Sequence, residues 1–233
     1  MPSQYSAVQH KRFGPYESVN RGEYNPGDLV LVRSETFFAK LIRFGQRLAY
    51  PDTDRKYTGW SHAAIIVDDD GNIVEAVARG VKRCHIGSYD ATDYAVVSVS
   101  QIANERDRRQ AVTFAEKLAG LQYGWMTAMS VGLSLFFGWR LVFSVDRQFI
   151  CSGLVARCLE RMDIPATADE SQLASTPTHV KPADLARLFD CPLEVRERDV
   201  WIWLLAIVVY IVGLLLLAAV VIGIYTVVKF LFS

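Results

Sequence analysis

WSHAAIIVDDDGNIVEAVA, Trp60 to Ala78, decides the fold. Two apolar, β-branched runs flank Asp68-Asp69-Asp70-Gly71, a turn composition, so the stretch predicts a β-hairpin. Side chains alternate along a strand, so the loop length fixes what His62 faces. With Asp70-Gly71 as the turn, or with all four residues as the loop, His62 stands opposite Arg79 or Val77. In both registers Glu75 shares its face. The four-residue loop makes Glu75 a diagonal neighbour, about 7 Å away by backbone, and the tighter turn puts it one step farther. A three-residue loop would move it to the other face. The three aspartates are turn residues, because the ligand spacing of a calcium loop is missing.

Outward from the hairpin, GDLVLVRS (Gly27–Ser34) follows a Pro-Gly turn and predicts a strand. Phe37 to Tyr50 predicts a helix, with Phe37, Phe38, Leu41, Ile42 and Leu48 at helical spacing. PDTDRKYTG between them and the hairpin is a polar loop. Val81–Ile86 and Tyr94–Ser100 predict two more strands. Asn104 to Gly120 predicts a helix with Asn104 as its cap and Gly120 as its terminator. ICSGLVARCLERM predicts another, with Val155, Cys158, Leu159 and Met162 inward and Asp163-Ile164-Pro165 ending it. KPADLARLFDCPLEV holds a short helix and a candidate last strand. Between these helices lies Trp125–Trp139, apolar but Gly-interrupted and closed by Arg140. It fits a buried core helix or an interfacial, substrate-facing element.

The chain has 233 residues, with 25 basic and 25 acidic side chains. That balance gives no global signal for nucleic acid. Four cysteines in a chain this long are too few for a disulfide framework, zinc knuckles and thioredoxin-type redox chemistry lack support without a C-x-x-C pair, and the pattern fits a reducing compartment. Residues 1–23 are polar, broken by Pro and Gly, and without the apolar core of a secretory signal; they read as a lead-in. Residues 199–233 differ. Trp201 to Val228 contains no charge, and at 1.5 Å per residue it makes a helix of about 42 Å, enough to cross a bilayer with tilt. Trp201, Trp203 and Tyr225 sit where interfacial aromatics belong. Lys181, Arg187, Arg196 and Arg198 precede the run and only Lys229 follows. The expectation is a single-pass, C-terminally anchored membrane protein whose domain faces the cytoplasm. The lipid bilayer is thus an expected partner.

FICSGLVARCLERM, Phe149 to Met162, carries the candidate nucleophile. A thiol at a helix start meets unpaired N–H groups and the positive end of the dipole, which lower its pKa. Ser152 and Gly153 are small and let a carbonyl approach the backbone amides, a partial oxyanion hole. Taken alone, Cys151 is equally consistent with a packed core thiol. Cys158, two turns on, is explained by packing. Of the four histidines, His10 lies in the lead-in and His179 in a Pro-flanked loop. His62 begins a strong strand, which positions a base well. Glu75 beside it would orient the imidazole and support its charged form; a solvated strand carboxylate is the alternative.

The ordered set GDLVLVRS, an amphipathic helix, WSHAAIIVDDDGNIVEA, LQYGW, FICSGLVARCLE and KPADLARLF resembles the circularly permuted NlpC-type papain-like cysteine hydrolases (YiiX/YebB-like), which are related to lecithin retinol acyltransferase-like enzymes. Histidine strand before cysteine helix is the reverse of papain's order. The resemblance covers roughly Tyr24 to Val195, within a domain of residues 24–198. It implies a permuted papain-like α+β fold, an antiparallel sheet packed on helices, with the transmembrane helix appended. It implies Cys151 as nucleophile, His62 as base, Glu75 as third polar residue, and Tyr123 of LQYGW beside the site. The chain departs from the acyltransferases by having glutamate where they use a second histidine, and CSGL where they use a different cysteine motif. That favours the bacterial branch.

The expected function is a membrane-anchored cysteine hydrolase that cuts an amide or ester through an acyl-enzyme, needing no metal or organic cofactor. The substrate is lipid-linked or a cell-wall peptide. The alternatives are a catalytically silent membrane-tethered binding module and an acyltransferase. The sequence leaves the oligomeric state open.

Overall fold

The computed structural model describes residues 5, 8–17, 24–77, 80–120, 151–165 and 180–193. Its strands are β1 (His10–Phe13), β2 (Leu29–Arg33), β3 (His62–Ile66), β4 (Asn72–Val77), β5 (Gly80–His85) and β6 (Asp93–Val97). They form one sheet in the order β1-β6-β2-β3-β4-β5, antiparallel at every pairing. The α-helices are α1 (Phe37–Ala49), α2 (Glu105–Leu118), α3 (Cys151–Glu160) and α4 (Pro182–Leu188). The class is mixed helix and antiparallel sheet, α+β.

The β3–β4 hairpin takes the four-residue loop. Val67 N–H donates to the Asn72 carbonyl at 2.8 Å, and Ala64 lies opposite Glu75. Extended by two residues, that register sets His62 opposite Val77 and Glu75 diagonal to His62. Gly71 closes the loop at φ +83°, a conformation that favours glycine, and a Cβ there would stand 2.6 Å from Tyr24 Oη.

Strand alternation divides the core in two. One face (Leu29, Leu31, Ala63, Ile65, Val74, Val97) packs with Ala111 and Ala115 of α2, Leu154, Val155, Cys158 and Leu159 of α3, and Leu185 and Leu188 of α4. The other face (Val30, Val32, Ala64, Ile66, Ile73, Tyr94) packs with Phe13, Tyr24, Ile86 and Tyr89. His62 and Glu75 fall on this second face. Helix α2 begins as its sequence predicts: Asn104 Oδ1 accepts from Asp107 N–H at 2.9 Å, and Gly120 follows it at φ +91°.

Several expectations change. The lead-in supplies β1, which pairs with β6 at the sheet edge; HKRF is too short and polar to signal a strand. Contacts group Met1–Glu194 into one unit and Val195–Ser233 into another. The polar loop after α1 contains a 3-10 turn, Asp52–Tyr57. The expected last strand is not formed at Cys191–Leu193. Instead this segment is bonded back to the residues before β3. Trp60 Nε1–H donates to the Cys191 carbonyl at 2.8 Å, and Leu193 N–H to the Lys56 carbonyl at 2.7 Å. Among the described residues no helix is long and apolar enough to cross a membrane. The runs Trp201–Val228 and Trp125–Trp139, and Tyr123 and His179, lie outside the described residues.

Candidate active site

The chain's local geometry brings three of the predicted residues together. Cys151 is the first residue of α3, which packs on the sheet beside β3. His62 is the first residue of β3. The Cys151 thiol lies close enough to the His62 imidazole for the two to interact electrostatically, with the Ala63 and Ser152 backbone beside the sulfur. His62 Nε2 lies 2.5 Å from Glu75 Oε2. With Nε2 committed to the carboxylate, the ring's other nitrogen is left for the thiol.

Glu75 is buried, at 3% exposure, yet it is fully partnered. Tyr89 donates its hydroxyl to Oε2 at 2.5 Å. Lys82 Nζ, directly across on β5, stands 3.1 Å from Oε1, and Cys84 donates its thiol to the same oxygen at 3.1 Å. An isolated buried carboxylate would be costly, and these four donors satisfy it.

The electrostatics follow. Burial alone would depress the His62 imidazole, but the Cys151 sulfur and Glu75 overcome it and hold the ring up at about 10. Burial alone would raise Glu75, but its bonds from His62, Tyr89 and Cys84 hold it well below the usual carboxylate range. Burial would also raise the Cys151 thiol. The charge and hydrogen bond of His62, with the Ala63 and Ser152 amides, outweigh that and lower it. Both shifts favour a thiolate–imidazolium pair over the neutral one. The other thiols go the opposite way. Burial pushes Cys158 and Cys191 up to about 12, and burial with the Glu75 hydrogen bond pushes Cys84 up to about 11.

Ser152 is buried, and its hydroxyl donates to the Val180 carbonyl at 2.5 Å. Its amide, not its hydroxyl, is what it offers the site. His85 closes a turn, through Nε2 to the Asp70 carbonyl at 2.9 Å and Nδ1 from Gly87 N–H at 3.0 Å. His10 lies on β1. Sequence reasoning missed Tyr89, Lys82 and Cys84. Lys82 follows from pairing β5 with β4 in register. Tyr89 sits on the 3-10 turn Ile86–Tyr89, which has no periodic signal.

No family model matches the chain, and no curated protein matches it. Among solved structures it is similar to the metalloprotein YiiX from Escherichia coli O157:H7, with 19% identity and a TM-score of 0.44, covering 77% of this chain and 92% of that one. A likeness at that level leaves the site to be read from its own geometry. Among the described residues no group of three or more His, Cys, Asp or Glu side chains is placed to hold a metal ion.

Proposed function

We propose that the protein is a cysteine hydrolase of the papain-like kind, working through an acyl-enzyme. The observation that carries this reading is the line Cys151–His62–Glu75: a lowered thiol, an imidazole held charged, and a carboxylate 2.5 Å behind it. The Cys151 thiolate attacks the carbonyl carbon of an ester or amide. The developing oxyanion is met by backbone amides at the start of α3. As the carbon–oxygen or carbon–nitrogen bond breaks, the His62 imidazolium gives its proton to the leaving group. His62 then takes a proton from water, the hydroxide attacks the thioester, and the thiolate is released. Glu75 keeps the ring oriented and its charge stabilised.

The substrate we infer is lipid-linked, on the ground that Trp201–Val228 is an uncharged run long enough to anchor the chain in a bilayer. The test incubates wild type and Cys151→Ala with a lipid extract and with a cell-wall peptide mixture and compares products by mass. A cysteine-dependent product from the lipid arm supports the reading. One from the peptide arm alone keeps the hydrolase and removes the lipid. None from either, with Cys151 no more reactive than Cys158, leaves a binding module. The anchor is tested by alkaline carbonate extraction of membranes, which should leave the full chain in the pellet.

A further inference from the structure

Helix α1 is built with its polar stripe inward. Gln46, fully buried, donates Nε2–H to the Trp60 carbonyl at 2.8 Å and accepts at Oε1 from the Ala183 N–H at 3.0 Å. Arg43, also buried, donates to the Ser34 carbonyl and reaches Glu35 at 3.2 Å. These bonds fix the rotation of the helix. An amphipathic helix normally turns its apolar stripe to the core. Here the stripe is turned out, with Phe38 74% exposed, Leu48 57%, Phe37 55% and Ile42 37%. The one other exposed large hydrophobic among the described residues is Tyr16. Single exposed hydrophobics need no explanation, whereas four on one helix mark an interaction face.

The chemistry of the face selects its occupant. It is an apolar face flanked by Lys40 and Arg47, and α1 contains no acidic residue. That is the composition of a helix lying in a membrane interface. From Leu193, seven residues lead to the uncharged run beginning at Trp201. At no more than ~3.6 Å each they reach about 25 Å, so a run inserted in a bilayer keeps the domain at its surface. We propose that the outer face of α1 rests in the interface of the lipid bilayer. This rests on the membrane-anchored reading above and adds a contact that positions the site. The inner side of α1 is bonded to Trp60, and Ser34 N–H is bonded to Ser61 Oγ at 3.0 Å. Those two residues lead directly into His62, so the helix that meets lipid braces the catalytic strand. The ligand class is the acyl lipid of that bilayer. Glu35 already gathers Arg33, Lys40 and Arg43 at 3.2, 3.6 and 3.2 Å. The contact is therefore apolar rather than electrostatic and insensitive to salt.

The test places a nitroxide on Phe38→Cys in the full chain, on a Cys84→Ser, Cys151→Ala background, reconstituted in phosphatidylcholine vesicles. A control label goes on Arg109→Cys, exposed on α2. The expected result at position 38 is frequent collision with oxygen and rare collision with a water-soluble nickel chelate, the reverse at position 109, and no change in high salt. Ile42→Cys and Leu48→Cys should report the same as position 38. Nickel access at 38 equal to the control overturns the proposal. So does shielding from both reagents, which gives the face to residues 121–150 or to a second copy; dilution with unlabelled chain separates those two. A chain that does not float with the vesicles overturns this contact and the anchor together. The hydrolase reading is judged separately, by Cys151 alkylation in the unlabelled protein.

Discussion

Glu75 decides how the site behaves as pH changes. Replacing it with glutamine keeps the shape and removes the charge behind His62. A hydrogen bond to a charged group is worth about 1.5–3 kcal/mol, or roughly ten- to a hundredfold in rate. Glu75→Gln should slow alkylation of Cys151 by that factor near neutral pH. Cys158, held at about 12, should stay silent in both proteins. The same pair controls stability. His62, held up first by the Cys151 sulfur and then by Glu75, is raised from 6.5 to about 10, so its contribution is complete below 6.5 and is lost as pH rises through about 10. Glu75 is lowered from 4.5, so its contribution is present above 4.5 and is lost as pH falls below that. Both are complete only between about 4.5 and 6.5. The Tm difference between wild type and Glu75→Gln should peak in that window and shrink on either side. A difference that grows steadily toward pH 9 would contradict the pairing.

At the scale of elements, two short turns place the site. The loop Asp68–Gly71 sets the register that makes Glu75 diagonal to His62. Gly71→Ala would force both φ +83° and a Cβ 2.6 Å from Tyr24 Oη. It should cost about 1–3 kcal/mol, read as a lower urea midpoint at unchanged slope. The Ile86–Tyr89 turn aims the Tyr89 hydroxyl at the oxygen that His62 uses. Tyr89→Phe should slow Cys151 alkylation about fivefold, the equivalent of the ~1 kcal/mol net worth of one hydrogen bond. Its pH–rate profile should also shift, because a less constrained Glu75 holds His62 less firmly; a purely structural tyrosine would leave the profile alone. The contrast between these turns shows what was legible in the sequence. His62 and Glu75 could be found because alternation and loop length are written in the residues around them. Tyr89 could not, because four residues of 3-10 turn carry no period. The helical spacing of α1 was legible too, but not its rotation. Gln46 and Arg43 face inward because of partners at Trp60, Ala183 and Ser34, which no local pattern announces.

Across the whole molecule, the fold closes through its last described residues. Val180, Leu185, Leu188 and Phe189 are all nearly fully buried in the main core. Tyr57 donates its hydroxyl to Asp190 at 2.6 Å, Arg187 pairs with Asp54 at 3.0 Å, and Trp60 donates to Cys191. These contacts join positions more than 130 residues apart, on the segment that leads into β3. Burying four large apolar side chains is worth about 1.5–3 kcal/mol each, together as much as the ~5–15 kcal/mol net stability of a typical protein. A chain ending at Leu193 should therefore fold and keep the rate of Cys151 alkylation of the full protein. A chain ending at His179 should not fold. The buried thiols make the test direct. In the longer chain a disulfide reagent should find Cys151 quickly, with Cys158 and Cys191 protected. In the shorter one Cys84, Cys151 and Cys158 should all react at the rate of an unstructured peptide. Protection of Cys158 in the shorter chain would show that α4 caps the core rather than completing it.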